Sequence, residues 1–105
     1  MTDKRIVLTA AGSKEEARKI ARELVERELA ACVNLVPHVE SVYRLEGEVE
    51  RAEEWLLIIK TTAAAFVRVR ETIQELHSYD LPECVCVAIE DGSKEYLAWV
   101  GDSVG

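Results

Sequence analysis

Two stretches decide the architecture: Cys32-Val33-Asn34-Leu35-Val36-Pro37-His38-Val39-Glu40-Ser41-Val42-Tyr43-Arg44-Leu45-Glu46-Gly47-Glu48, and its return, Glu54-Trp55-Leu56-Leu57-Ile58-Ile59-Lys60-Thr61-Thr62. The first reads as a strand from Cys32 to Gly47, and Pro37 inside it marks a bulge or a sheet edge because proline cannot donate to a ladder. Glu46-Gly47-Glu48 reads as a turn, and the strand rich in Leu and Ile from Glu54 to Thr62 comes back along the first. Two long strands about one glycine turn make a hairpin, and in a chain of 105 residues such a hairpin must protrude.

Upstream, Arg5 to Ala11 is rich in Ile, Val, Leu and Thr, stops at Gly12, and reads as a strand buried on both faces. Ser13 and Glu16 form an S-x-x-E box that opens a helix. Ala17, Ile20, Ala21, Leu24, Val25 and Leu29 give it one apolar stripe, and Glu15–Lys19 and Glu23–Arg27 are favourable i,i+4 pairs. Downstream, the spacing predicts a second helix from Ala63 to His77 with Phe66, Val69, Ile73 and Leu76 on one side. Tyr79-Asp80-Leu81-Pro82 reads as a loop, Cys84 to Glu90 as a fourth strand, and Tyr96 to Val100 as a short last helix. The order is β-α-β-β-α-β plus a helix. Right-handed crossovers put both long helices on one sheet face, which is a ferredoxin-like α+β sandwich. Nothing in the chain is left to cover the other face. With Val33, Leu35, Val36, Val39, Val42, Tyr43 and Leu45 on the hairpin, exposed edges and apolar surface imply self-association.

Composition bounds the function. Length predicts one domain over residues 1–105, large enough to bury roughly 60–70% of its unfolded surface. Twenty acidic against 13 basic side chains leave a net charge of −7, which opposes nucleic-acid binding and mildly favours cationic partners. The βαββαβ order is shared with RNA-recognition motifs, but the strands lack their glycine-and-aromatic pattern. No apolar run approaches the length of a membrane span and no signal-peptide pattern opens the chain, so the expected location is cytoplasmic and the expected partners include no membrane. Three cysteines leave at least one unpaired, which suits a reducing compartment, and no Cys-x-x-Cys occurs.

The candidate metal donors are Cys32, Cys84, Cys86, His38 and His77. Cys84 and Cys86 share a strand face with Cα atoms about 6.6 Å apart, poor spacing for a disulfide, and their ordinary role is as small buried hydrophobes. His77 closes the second helix, where an imidazolium would meet the helix dipole and a neutral ring could bind a first-row metal. His38 reads as a surface residue. No nucleophile elbow, HExxH or phosphate loop is present, so no enzyme activity is expected. Glu46, Glu48, Glu50, Glu53 and Glu54 read as a solvated hairpin tip. Lys60 ends an apolar strand, from which it could hold an anion or snorkel to the surface.

Several blocks resemble the CutA-type divalent-cation tolerance proteins: Glu28-Leu29-Ala30-Ala31-Cys32-Val33-Asn34, Ser41 to Glu48, Leu57-Ile58-Ile59-Lys60-Thr61, Glu75 to Glu83 and Glu95-Tyr96-Leu97-Ala98-Trp99. They run in family order over nearly the whole chain. The resemblance implies the ferredoxin-like fold, a homotrimer made by intersubunit sheet pairing, and a cytoplasmic role in tolerance of copper and other divalent metals. Some members carry a three-ligand copper set, a cysteine in the first strand and two consecutive histidines. Here those positions are Thr9, Leu76 and His77, so only His77 remains, and Leu45 replaces the second aromatic of the hairpin motif. The expected ligands are therefore His77 and Cys32, with copper favoured by ligand softness. A second reading is a trimeric signalling module like the nitrogen-regulatory P-II proteins. It would bind a small anionic metabolite in an intersubunit cleft near Lys60, Tyr79 and Trp99.

Overall fold

The computed structural model describes residues 2–105. Its elements are β1 (Lys4–Ala11), α1 (Lys14–Glu26), β2 (Cys32–Leu45), β3 (Glu48–Thr62), α2 (Phe66–Leu76), β4 (Val85–Ala88) and α3 (Lys94–Ser103). The four strands form one antiparallel-paired sheet in the order β2-β3-β1-β4, the ferredoxin-like arrangement.

Alternation along β1 and β3 assigns the faces. Val7, Thr9 and Ala11 pair with Ile59, Leu57 and Trp55 and point toward α1 and α2. There they meet Ala17, Ile20 and Leu24 from the α1 stripe and Val69 and Ile73 from α2, all fully buried. Leu29 and Ala30 close the layer, and the Thr61 hydroxyl donates to the Leu29 carbonyl at 2.6 Å. Ile6, Leu8, Leu56 and Ile58 line the second face and are only half-buried, so β1 is not buried equally on its two sides. That face is also less bare than the sequence implies. α3 runs from Lys94 to Ser103, twice the span expected, and its buried Val100 lies outside the cluster under α1 and α2. Gly101 rests against the Lys4 side chain, placing α3 over one end of the second face.

The hairpin is longer than its apolar pattern suggests, because β3 starts at Glu48 instead of Glu54. Glu46 (φ 50°) and Gly47 (φ 83°) form a two-residue turn between the paired Leu45 and Glu48, and positive φ at both central positions is the type I′ signature that matches strand twist. Pro37 and His38 together oppose the single residue Trp55, which is a β-bulge on an edge strand, with His38 in the left-handed region (φ 60°). The arm stretches the molecule to 44 × 25 × 23 Å and raises the radius of gyration to 14.2 Å, against about 13 Å expected for a compact chain of this length.

Other boundaries move for local reasons. α2 begins at Phe66 and not at Ala63: the Ala63 N–H is taken by the Asp3 carbonyl and the Ala65 N–H by Thr62, which makes residues 63–65 a turn. β4 shrinks to Val85–Ala88, the stretch that faces β1 from Leu8 back to Arg5.

Gly47→Ala is expected to lose roughly 1–2 kcal/mol, read as a lower urea midpoint. Nothing lies within 4 Å of an added Cβ, so the cost is that of the left-handed backbone alone, and an unchanged midpoint would contradict the turn geometry.

Candidate functional site

The most structured polar cluster gathers where α2 hands over to β4. His77 caps α2, its N–H bonding the Ile73 carbonyl at 2.9 Å while its backbone turns extended. This swings the imidazole under the end of β1, where it is completely shielded from solvent. β4 stops opposite Leu8, so Ala10 lies beyond the ladder on that side, and His77 Nε2 donates to its carbonyl at 2.7 Å. A carbonyl only accepts, which places the ring proton on Nε2 and leaves Nδ1 to accept the Tyr79 N–H at 3.1 Å. The ring is thus a strut between β1 and the loop, not a charge at the helix terminus.

Glu16 reinforces this strut. The Ser13 hydroxyl caps α1 by accepting the Glu16 N–H at 3.2 Å, one half of the capping box. The Glu16 carboxylate reaches across to accept the Ser78 N–H and hydroxyl, both at 3.2 Å, and lies 3.4 Å from His77 Nδ1. The S-x-x-E spacing is satisfied by a local cap, so nothing in the sequence near Glu16 signals a partner 62 residues away.

Tyr79 continues the network outward. Its ring tilts against His77 at a centroid distance of 4.6 Å, and its hydroxyl donates to Glu54 Oε2 at 2.9 Å. Burial, reinforced by the Glu54 carboxylate, pushes the phenol up to about 12. Gly12 leaves room for it: a Cβ there would stand 2.9 Å from the Tyr79 hydroxyl. The loop and the arm up to Leu45 border an open cleft of about 780 Å³, lined by Ala10 and Glu54, by Tyr43 and Arg44 on the arm, and by Tyr79 and Leu81 on the loop.

The expected site residues do not converge within one chain. Cys32 opens β2 opposite Lys60, whereas His77 grips Ala10, which pairs with Leu56. Four steps along β3 separate the two positions, about 13 Å. Lys60 and Tyr79 are further apart, since Tyr79 is tied to Glu54, six residues or about 20 Å along the same strand. The Lys60 ammonium donates to Asn34 Oδ1, and Trp99 sits half-exposed on α3 against Tyr96 with ring centroids 5.6 Å apart. His38 stands in solvent on the bulge.

A divalent metal does not fit His77 as the chain is folded, because both ring nitrogens are committed to protein partners. Among the described residues no three His, Cys, Asp or Glu side chains are grouped to hold one metal ion. Gly12, Glu16 and Glu54 shape the cluster, although the sequence reads them as a strand stop, half of a capping box and part of a solvated hairpin tip; Glu54 lies instead at the base of the arm, where it accepts the Tyr79 hydroxyl.

Two outcomes are expected. His77→Gln should destabilise by roughly 1–3 kcal/mol, through the strained or orphaned Ala10 carbonyl, while calorimetric titration gives the wild-type copper isotherm. A lost isotherm with unchanged stability would make His77 a ligand. The Tyr79 phenol titrates near 10 when unfolded and near 12 when folded, so its contribution is full below pH 10 and disappears as pH climbs from 10 through 12. The stability gap between wild type and Tyr79→Phe should narrow across that window in urea melts, and a flat gap would uncouple the phenol from folding.

Comparison with known proteins assigns the family. The model of the CutA1 divalent ion tolerance protein family matches residues 5–103. The divalent-cation tolerance protein CutA of Thermus thermophilus is 47% identical over 100 residues, covering 95% of this chain and 97% of that one. Its counterpart from Archaeoglobus fulgidus is 42% identical over 99 residues, covering 93% and 95%. The crystal structure of CutA from Xylella fastidiosa superposes with a TM-score of 0.97 at 34% identity, covering 99% of this chain and all of that one. With this agreement in sequence and in fold, the chain belongs to the CutA1 family of divalent-cation tolerance proteins.

Proposed function

We propose that the chain serves divalent-cation tolerance, with copper as the leading ion, as a non-catalytic cytoplasmic homotrimer. The role is supported by family membership and by relatives that are divalent-cation tolerance proteins by name. Self-association is supported by one observation: the arm bears Val42, Leu45 and Val49 at 65%, 55% and 66% exposure, a run of apolar side chains left open to solvent, and the count of three follows from the resemblance to the family. β2 and β4 are the two sheet edges, each with one side unpaired, and Val85 and Val87 on β4 are also exposed. Pairing between copies satisfies these backbone groups and covers the arm together. A divalent ion is then met by donors of more than one copy, because those of one chain are dispersed.

A metabolite cleft of the P-II kind would need Lys60 and Tyr79 from different copies, since one chain ties Tyr79 to Glu54, six residues along β3 from Lys60.

Sedimentation at micromolar protein should give about 35 kDa, three times 11.8 kDa, and a folded 11.8 kDa species would overturn the assembly. Val42→Glu combined with Val49→Glu should shift the mass to the single chain. A divalent ion at a hundredfold its Kd should stabilise by about 2.7 kcal/mol, several degrees in Tm. A shift with nucleotides or organic acids but with no divalent ion would replace the metal reading by the metabolite one.

A further inference from the structure

We propose that the cleft between the arm and the loop after α2 binds a small organic ammonium ion, held against the rings of Tyr43 and Tyr79 and beside the Glu54 carboxylate. Its volume of about 780 Å³ falls among those of small-molecule sites, roughly 300–1,000 Å³. Both tyrosines line it, and they are 44% and 40% exposed. The register of the arm sets Val39 opposite Glu54 and Tyr43 opposite Glu50, with no irregularity between the two pairs. Strand alternation therefore projects Tyr43 and Glu54 from the same face, four steps or about 13 Å apart along the ladder. From the loop, the Tyr79 hydroxyl meets Glu54 Oε2 at 2.9 Å.

The chemistry of the lining selects the occupant. The face of an aromatic ring is negative and attracts a weakly hydrated cation placed within about 6 Å of its centroid. Burial and the Glu54 carboxylate push the Tyr79 phenol up to about 12, so the ring stays neutral and keeps donating its proton to Glu54. Glu83 adds a second carboxylate to the lining, and Leu81, 91% exposed, offers apolar contact to the substituents of an ammonium ion. Among the described residues lining the cleft, the one basic group is Arg44. Alternation turns it to the opposite face of the arm, and its guanidinium donates to the Gly47 carbonyl at 3.2 Å, which holds its charge toward the turn. A divalent metal is the poorer fit, because it needs several grouped oxygen donors and, among the described residues, no three His, Cys, Asp or Glu side chains come together.

All of these groups belong to one chain, so the site rests neither on the trimer nor on the divalent-ion role. Val42 and Val49, the most exposed apolar side chains of the arm, belong to its other face by the same register, since Val42 pairs with Arg51 and Val49 with Arg44. Copies that associate through that face leave Tyr43 and Tyr79 accessible.

The test is an NMR titration of the full chain, isotope-labelled in its tyrosine rings, with tetramethylammonium chloride. Ionic strength is held constant with sodium chloride, so that a general charge effect cancels. The ring signals of Tyr43 and Tyr79 should move together along one saturating curve. Tyr96, the third tyrosine, lies on α3 outside the cleft and should stay in place. The uncharged tert-butanol, of similar size, should need at least roughly 10-fold more ligand, because it lacks the attraction to ring and carboxylate. Tyr43→Leu keeps an apolar side chain but removes the ring, and should weaken binding roughly 2- to 30-fold. Glu54→Gln retains an acceptor for the Tyr79 hydroxyl and should weaken it roughly 2- to 5-fold. Tyr43 is exposed on the arm, so its variant keeps the fold and decides the matter if the Glu54 variant does not. The absence of a saturable shift, an equal response to tert-butanol, equal movement of Tyr96, or wild-type affinity in Tyr43→Leu would each overturn the site. Sedimentation of the same samples reads the assembly separately.

Discussion

The structure depends on β3 serving two partners at once. From Trp55 to Thr62 it pairs with β1, and from Leu56 to Lys60 it pairs at the same time with Cys32–Val36 of β2, with Leu57, Ile59 and Thr61 fully buried. From Glu48 to Glu54 it pairs with β2 alone. The change falls at Trp55, where β1 ends at Ala11 and where Pro37 and His38 bulge out of β2. A bulge bends its strand and increases local twist, so the arm leaves the sheet plane at the place where the core can no longer hold it. Core and arm are one ladder in two environments.

Those environments explain which elements were legible. β1, α1 and the inner half of β3 follow from apolar periodicity because burial wrote that periodicity. The start of β3 did not, because Glu48-Val49-Glu50-Arg51-Ala52-Glu53 has water on both sides and carries little two-residue hydrophobic signal. Residues 63–65 are good helix formers, yet Asp3 and Thr62 claim their amides first. The full length of α3 carries little apolar signal because the Val100 side chain is its sole fully buried anchor. The turn at Gly47 and the irregularity at Pro37 were readable, since both rest on backbone chemistry that one residue type announces.

The polar cluster was less accessible. His77 and Tyr79 stand out as residue types, but their roles depend on contacts with Ala10, Glu16 and Glu54 that no spacing rule connects. The sequence suggests that a histidine beside a helix end is available to metal. Folding uses it to satisfy a carbonyl that the short β4 leaves uncovered, since an unmet buried carbonyl is costly. Thr9 shows the opposite case: its hydroxyl is buried in the core layer and has no hydrogen-bond partner there.

Beyond the bulge the arm has a property of its own. The space beside Gly47 at its turn is open, the one side-chain bond to that glycine comes from Arg44 of the arm itself, and the ladder repeats every second residue on each side. Adding or removing two residues from each strand together would leave facing, register and turn unchanged, while moving the tip by roughly 6.7 Å. The hairpin is a ruler graduated in dipeptides, so evolution or an engineer can adjust how far it reaches without reopening the problem of how the body folds.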